Sequence, residues 1–432
     1  MSWRPGRSVP TGAYPLTLVL LLGCGSDKGV VDAAARAPDG AATDASPDSE
    51  SYLRPETRSG LAGGSVCDSG AQCLSGACTL GACSEWSHAL RIGIDTTSAG
   101  ANVRETVANF PLLVRLRATN FAFSEARSDG ADIRFVDAGG QNLDHEIERW
   151  DSATSTAELW VLVPSIAADS SGNFISMYWG NPLATPTASS APVFGAFTCV
   201  YHMNFELDGV TTRLADASGH ANTGLVQNPS SATPHREGIA GPATALDGQG
   251  VFLATTTRLP NSRSVSISLW FRTTSTTRAG LAGFAGKQSG SDVVFDRAIW
   301  LDELGRLSFG VLHGGAFATV SSLVSFNDGD WHQVVARFAG SGQYLFADGE
   351  SVADDQSDSG TDPLAGYWRF GEEPLASQTS ATTDAAVPAG NFFAGSLDEI
   401  RVSTDEASDA WIRLAYATQR PDATAVSYRR MP

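Results

Sequence analysis

Basic side chains, and lysine above all, are scarce in this sequence. The 432-residue chain has 47 Asp and Glu against 29 Lys and Arg, its formal net charge is −18, and its lysines are Lys28 and Lys287. Proteins that bind nucleic acid neutralise phosphates with clustered Lys and Arg, so this balance excludes nucleic acid as a partner. The apolar run at 16–22 is shorter than the ~20 residues that cross a bilayer, which argues against a transmembrane helix there.

Complete catalytic motifs are missing as well. Gly286 and Lys287 follow glycines as in a phosphate-binding loop, but Leu281 stands where the first glycine belongs. Gln288 replaces the Ser or Thr that would bind magnesium. The sequence has no H-x-x-x-H pair and no G-x-S-x-G elbow that would supply a nucleophile. These gaps argue against phosphoryl transfer, zinc hydrolysis and serine hydrolysis by the familiar routes.

One segment comes nearer to hydrolase chemistry. Some glycoside hydrolases built on β-sandwiches use an E-x-D-x-x-E motif, and Glu206 and Asp208 match its first half. Thr211 stands where the acid/base glutamate belongs, so a retaining reaction would lack its proton donor. We interpret Glu206 and Asp208 as polar residues at a strand end and predict no catalytic residues; an unusual glycosidase that uses this pair is the alternative.

The N-terminus has the pattern of an export signal. Arg4 and Arg7 precede the apolar run, which ends in Leu21, Leu22, Gly23 and Cys24. This ending resembles the bacterial lipoprotein box, which implies that 1–23 is removed and that Cys24 is lipidated. Acyl chains would then anchor the chain to a bacterial membrane. The resemblance favours the outer membrane or cell surface, and an ordinary secretory signal is the alternative.

Residues 24–66 are predicted to be a disordered tether, because they contain almost no large apolar side chains. Four cysteines follow within 67–84: Cys67, Cys73, Cys78 and Cys83. An exported segment with so few apolar residues favours two disulfides, whose pairing stays open; zinc binding is the alternative. Cys199, in an apolar strand pattern, is predicted to be a buried free thiol.

Residues 86–183 alternate apolar and polar side chains, as half-buried strands do. Leu112, Val114 and Leu116 form one such stripe, and about six strands without a convincing helix predict a small β-sandwich. The region resembles the bacterial domain of unknown function 2341 at FPLLV (110–114), GADIRF (130–135), EIERW (146–150), LWV (159–161) and YWGNP (178–182). That family implies a fold and a boundary, and no activity.

Residues 196–421 show roughly fifteen further strand patterns, such as Val265, Ile267, Leu269 and Phe271. Their number predicts a two-sheet jelly roll. The region resembles the concanavalin A-like, laminin-G-like family at DASGH (216–220), ALDG (245–248), DGDWHQV (328–334), FADG (346–349) and GSLDEIRV (395–402), the last followed by a short helix near 410–417. Members of this family mainly bind glycans or proteins, and some hold calcium.

Candidate binding residues follow from that resemblance. A glycan site needs aromatic faces, and the candidates are Trp270, Trp300, Tyr367 and Trp368, with core packing as the alternative for each. A calcium site needs several oxygens, for which we single out Asp216 and Asp398, with ordinary loop and strand roles as the alternative.

The sequence thus predicts an all-β protein with two β-sandwich domains, a small sandwich and then a concanavalin A-like jelly roll. They follow the tether and the cysteine module. The predicted function is a membrane-anchored extracytoplasmic binding protein for carbohydrate or protein, with calcium as the one possible cofactor. A polysaccharide hydrolase on the same fold and a structural component of an envelope assembly are the alternatives.

Overall fold

The fold is described from a computed structural model of the chain. The structure describes residues 86–181, 184–204, 213–229, 236–260, 262–290, 295–357, 360–373 and 391–431. Of residues 77–79, 82–84, 236 and 373, only the backbone is described. These residues all belong to one compact unit, Ser49–Pro432.

The first described strands form a small hairpin in the cysteine-rich segment. Strand β1 (Ala77–Thr79) pairs with β2 (Ala82–Ser84) in antiparallel fashion, which sets Cys78 opposite Cys83 in the backbone register. The side chains of both cysteines, together with Cys67, Cys73 and the proposed lipidation site Cys24, lie outside the described residues. The disulfide module and the anchor therefore stay predictions.

The first sandwich is built from seven strands in the described part of this region. They are β3 (His88–Ile94), β4 (Val107–Arg117), β5 (Arg134–Val136), β6 (Asn142–Leu143), β7 (His145–Asp151), β8 (Thr156–Ile166) and β9 (Asn173–Trp179), with a short 3-10 helix at Phe123–Glu125. One sheet has the order β4-β8-β7 and the other contains β3-β9-β5-β6. Leu112, Val114 and Leu116 are fully buried between the sheets, as their alternation predicted.

Helix α1 (Ser190–Phe194) leads into the second sandwich. Its strands, as far as they are described, are β10 (Cys199–Tyr201), β11 (Arg213–Leu214), β12 (Gly224–Gln227), β13 (Arg236–Glu237), β14 (Pro242–Asp247), β15 (Phe252–Thr255), β16 (Leu259–Pro260), β17 (Val265–Arg272), β18 (Ala279–Ala285), β19 (Phe295–Leu301), β20 (Arg306–His313), β21 (Ala316–Ser325), β22 (His332–Ala339), β23 (Gly342–Ala347), β24 (Glu350–Asp355), β25 (Ala365–Phe370), β26 (Glu372–Glu373), β27 (Asn391–Phe392) and β28 (Ala394–Ser403).

Two large antiparallel sheets face each other in this second sandwich. One runs β13-β14-β28-β17-β22-β23-β24, with β10 also pairing to β28; the other runs β11-β12-β15-β25-β18-β19-β20-β21, with β16 pairing to β25. Val265, Ile267, Leu269 and Phe271 of β17 point into the core between them. Cys199 lies in the same core as a buried free cysteine, as predicted. The chain is therefore nearly all β, as the sequence indicated.

The C-terminal residues return to the first sandwich. Helix α2 (Asp409–Gln419) begins where the Ser408 hydroxyl accepts the Trp411 amide N–H, and it stops just before Pro421, which cannot continue a helix. This helix confirms the one predicted near 410–417. Strand β29 (Val426–Arg430) then pairs with β3, at the edge of the five-stranded sheet that the described residues form.

Helix α2 also packs between the two sandwiches. Leu414 contributes to the core of the first sandwich, whereas Ile412 packs against Val335 and Phe346 of the second. Beside the helix, a further apolar cluster joins Trp160 of β8 to Phe194 of α1. No helix among the described residues is long and apolar enough to cross a membrane.

Candidate functional site

A cleft of about 290 Å³ opens where the two sandwiches meet. Its walls come from the start of β4, the segment after α1, strands β17 and β28, and the segment that leads into α2. Ligand pockets commonly form at such domain boundaries, because two rigid bodies leave a concave space that neither has alone. Segments far apart in the sequence therefore line the cleft together.

Two aromatic rings and several polar groups face this space. Phe197 and Trp411 are half-buried and lie 6.3 Å apart between ring centroids. Asn109 and Glu406 are exposed on the rim, and the Ser268 hydroxyl has no hydrogen-bond partner among the described residues. The cleft thus offers an apolar ring surface beside free hydroxyl, amide and carboxylate groups, which is the chemistry that sugar C–H faces and hydroxyls require.

The structure places the predicted aromatic residues mainly in the core. Trp270 is 1% exposed, stacks on Tyr416 of α2 and donates its indole N–H to Gln419 at 3.0 Å. Trp300 is also buried, with Arg278 over its ring. Neighbouring side chains, with α2 over Trp270, cover both rings, which fits the core-packing alternative; a role of these two rings in ligand binding stays a prediction.

Trp368 and Tyr367 have different surroundings. Trp368 is buried against Phe284, with ring centroids 5.1 Å apart, but it lines a second cavity of about 310 Å³ together with Leu259 and Pro260. Tyr367 is half-buried outside both cavities. Of the four predicted aromatics, Trp368 alone borders a described cavity of ligand size.

The two aspartates proposed for calcium are held by backbone N–H groups. Asp216 accepts the amides of Val200 and Asn222 at 3.0 and 2.9 Å. Asp398 is buried and accepts the amides of Ile239 and Ala240 at 2.6 and 3.2 Å. These contacts give both carboxylates the ordinary loop and strand roles that were the alternative, and calcium stays a prediction.

Next to the cleft lies a group of ionisable side chains, buried except for the half-buried Glu146, that we call the ion cluster. It consists of Glu146, Glu148, His202, Asp398, Glu399 and Arg401. The two glutamates of β7 both face His202, with Glu148 at the point where the register of β7 against β8 shifts between Ile147 and Arg149. His202 follows the end of β10, whose last residue Tyr201 pairs with Ile400, so the histidine comes next to Glu399. The cluster thus joins the first sandwich to the second.

A β-bulge aims Glu399 at the histidine. Ser268 of β17 pairs with Arg401 and Trp270 pairs with Asp398, so two residues of β28 lie opposite Leu269 alone. Glu399 takes the left-handed conformation there, with φ 49°. Bulges commonly re-aim a side chain next to a functional site, and the cost of this backbone conformation points to such a role here.

His202 is the centre of the ion cluster. Its Nδ1 lies 2.7 Å from Oε1 of Glu399 and 3.6 Å from Oε2 of Glu148, while its Nε2 lies 3.3 Å from Oε2 of Glu146. Arg401 donates to Oε2 of Glu399 at 2.8 Å, and its guanidinium lies 4.3 Å from the ring centroid of Trp160. One imidazole therefore faces three carboxyl groups.

Burial and mutual charge shift the pKa values of this cluster. Burial raises the pKa of Glu148 well above its usual value, more than the nearby His202 lowers it. Burial and the charge of Glu399 also raise the pKa of Asp398 well above its usual value. The N–H groups that Asp398 accepts lower this pKa, but by less. Burial alone would lower the pKa of His202, but Glu399 and Glu148 raise it well above its usual value. Burial would raise the pKa of Glu399, yet His202 and Arg401 lower it.

The ion cluster includes the one group of three His, Cys, Asp or Glu residues in the described part of the chain whose ligand atoms converge. Glu148, His202 and Glu399 each offer one such atom, all within 4.8 Å of one another. The sequence pointed to the neighbouring Asp398, whereas His202 and Glu148 were not singled out. Their separation along the chain hides the convergence, since His202 lies 197 residues from Glu399.

Comparison with protein families gives two matches. Residues 129–204 match the domain of unknown function DUF2341, and residues 246–413 match the concanavalin A-like lectin/glucanases superfamily. The chain therefore carries a DUF2341 region followed by a concanavalin A-like region, which confirms both resemblances. The ion cluster draws Glu146, Glu148 and His202 from the first match and Asp398, Glu399 and Arg401 from the second.

Comparison with solved structures gives distant likenesses. Domain 4 of an extracellular arabinanase from Geobacillus stearothermophilus, in complex with arabinotriose, has 16% identity and a TM-score of 0.37, over 51% of this chain and 98% of that one. The binding domain of botulinum neurotoxin DC has 12% identity and a TM-score of 0.37, over 52% of each chain. A pentraxin from Limulus polyphemus has 10% identity and a TM-score of 0.30, over 42% and 85%.

The present chain spans about half the length of the botulinum chain that it resembles. No curated protein matches it. The concanavalin A-like region and its sandwich fold fit a binding role.

Proposed function

We propose that this protein is a carbohydrate-binding protein, lipid-anchored through Cys24 at the outside of a bacterial cell, and that the cleft between its two sandwiches holds the sugar. The location rests on the export and lipoprotein pattern of the sequence. The binding role rests on the family match, whose name covers lectins and glucanases. The cleft is the observation that carries the choice of site.

The cleft supports a neutral sugar rather than an anionic one. Asp405 and Glu406 border it, and the chain as a whole carries a net charge of −18, so an acidic ligand would meet repulsion. The guanidinium of Arg401 does line the cleft, but it is 2% exposed and pairs with Glu399. Recognition would come from stacking on Trp411 and Phe197 and from hydrogen bonds to the free polar groups.

The test is a glycan array probed with the full chain, followed by calorimetry on the sugars that bind. We expect Trp411→Ala to weaken binding at least tenfold, since an aromatic contact contributes on the order of 1 kcal/mol beyond the area that it buries. Tyr367→Ala is the matched control, because that ring is half-buried outside the cleft. Thermal melting of each variant checks that the fold is kept.

Two outcomes would refute this assignment. If Trp368→Ala abolished sugar binding while Trp411→Ala left it intact, the site would be the second cavity. If no glycan bound the folded wild type at all, the carbohydrate proposal would fail as a whole. Hydrolysis of a bound polysaccharide would favour the enzyme alternative; its candidates, Glu206 and Asp208, lie outside the described residues.

A protein partner is the second candidate, and one surface favours it. Leu304, Leu323 and Val324 are 63%, 91% and 58% exposed, at the turn before β20 and on β21. Leu323 and Val324 adjoin along β21, the edge strand of its sheet among the described residues, and adjoining exposed apolar side chains mark contact surfaces. A Leu323→Ser variant that loses capture of an envelope protein, while keeping its sugar affinity, would support the envelope-assembly alternative.

A further inference from the structure

Three side chains of the ion cluster have the composition of a metal site. Glu148, His202 and Glu399 bring one imidazole nitrogen and two carboxylate oxygens within 4.8 Å of one another. Both carboxylates face the same nitrogen, Nδ1 of His202, at 2.7 and 3.6 Å. An ion at that nitrogen would therefore reach both oxygens after a small adjustment of the side chains.

Each of the three candidate ligands has a partner that orients it. Glu146 lies 3.3 Å from Nε2 of His202, on the opposite side of the ring from Nδ1. The indole of Trp160 donates to Glu148 at 2.7 Å, and Arg401 donates to Glu399 at 2.8 Å. Protein metal sites hold their ligands in this way, with a carboxylate on the second histidine nitrogen fixing the tautomer that leaves the first one free to bind.

A second observation points to a missing partner. The side chain of Glu148 is only 1% exposed, so water does not reach it freely. Its Oε1 atom is buried and has no hydrogen-bond partner among the described residues. Buried polar atoms in native proteins are nearly always satisfied, and an unsatisfied one calls for a water or an ion. Oε2 of Glu148 is the oxygen that faces Nδ1 of His202, so a metal bound there through both oxygens of the carboxylate would also satisfy Oε1.

We propose that Glu148, His202 and Glu399 bind a divalent transition-metal ion of the zinc class at the junction of the two sandwiches. An imidazole with carboxylates suits zinc, whereas calcium and magnesium prefer ligand sets made of oxygen alone. Glu148 belongs to β7 of the first sandwich, and His202 and Glu399 belong to the second. The ion would tie the two bodies together.

The test uses the full chain, treated with a chelator and then titrated with Zn²⁺, Ca²⁺ and Mg²⁺ by calorimetry. We expect one equivalent of Zn²⁺ to bind, little Ca²⁺ or Mg²⁺ to bind, and the melting temperature to rise by several degrees, since a ligand that binds the folded state alone stabilises it. Glu148→Gln and His202→Gln should each lower the Zn²⁺ affinity at least tenfold.

A matched control exists in the second sandwich. His332 also lies between two carboxylates, Asp348 at 2.8 Å and Asp328 at 3.1 Å, but these face different ring nitrogens and so do not converge on one ion. His332→Gln should leave Zn²⁺ binding unchanged. Equal affinity in the wild type, Glu148→Gln and His202→Gln would overturn the proposal, as would the absence of Zn²⁺ binding to the folded wild type.

Cobalt substitution covers the case in which a variant fails to fold. Co²⁺ bound by an imidazole and carboxylates gives weak visible bands, whereas thiolate ligands add an intense near-ultraviolet charge-transfer band. The wild-type chain should show the first spectrum. The second spectrum would place the ion at the cysteines of 67–84 and refute the site. A Ca²⁺ affinity above that for Zn²⁺ would refute the zinc class.

Discussion

His145 should make the first sandwich sensitive to mild acid. The residue begins β7, is 4% exposed, and has the ring of Phe135 at 5.3 Å between centroids. Burial lowers the pKa of His145 to about 4, and the positive charge of Arg134 adds to this effect. Its neutral form is therefore the one that the fold accommodates.

The sign and size of the effect follow from linkage. The unfolded chain binds a proton at His145 near the ordinary pKa of about 6.5, whereas the folded chain does so only near pH 4. Stability is unaffected by this group above pH 6.5 and is lost as the pH falls from 6.5 to 4. A shift of about 2.5 pKa units corresponds to on the order of 3 kcal/mol.

The assay compares wild type with His145→Gln, which cannot titrate. Unfolding free energies from urea titrations at several pH values between 4 and 7 give a difference between the two proteins at each pH. We expect the wild type to lose about 3 kcal/mol relative to the variant between pH 6.5 and 4. The remaining titratable groups contribute equally to the unfolding free energy of both proteins, so their effects cancel in this difference.

His332 serves as an independent control, because its effect on stability should change with pH in the opposite direction. Burial alone would lower the pKa of His332, but Asp348 and Asp328 raise it above the ordinary value. Its stabilising effect is therefore present below pH 6.5 and is lost as the pH rises, so the comparison with His332→Gln should slope the other way. A pH-independent difference for His145→Gln, or an NMR titration of His145 near pH 6.5, would refute the reasoning.

Two further changes test how the C-terminal segment holds the sandwiches together. Ser408→Ala removes the oxygen that caps α2 and should lower the unfolding free energy by about 1 kcal/mol, read from urea unfolding with Ser408→Asp as the control that restores the cap. Tyr428→Phe removes the hydroxyl that accepts the Arg115 amide N–H at 2.9 Å. Leaving this N–H unpaired should lower the unfolding free energy by about 1–3 kcal/mol. An unchanged melting temperature would contradict that contact.

Much of the fold could be predicted because strand alternation is a local signal. The stripes at Leu112, Val114 and Leu116 and along β17 are buried as expected. Alternation tells which residues share a face, but it does not tell what covers the opposite face. Trp270 therefore looked available to a ligand, whereas α2, about 140 residues later, packs Tyr416 onto its ring.

The site could not be predicted in the same way, because its residues meet only when the two sandwiches dock. Phe197 belongs to a segment with no pattern of its own. Trp411 lies on the predicted C-terminal helix, but that prediction does not tell which surface the helix covers. The bulge that turns Glu399 toward His202 depends on pairing with β17. A local signal did exist for Glu146 and Glu148: two carboxyls on one strand, beside Trp160, are costly to bury without a partner.

Arg401 connects the two features at this junction. Its guanidinium lines the cleft, lies over Trp160 of the first sandwich, and donates to Glu399 in the ion cluster. The position of the cleft wall therefore depends on the same contacts that hold the cluster together. Neither sandwich alone contains the cleft, since its walls come from β4 on one side and from β17 and β28 on the other. Binding in the cleft and docking of the sandwiches must then stabilise each other, because a ligand that contacts both bodies binds only the docked arrangement.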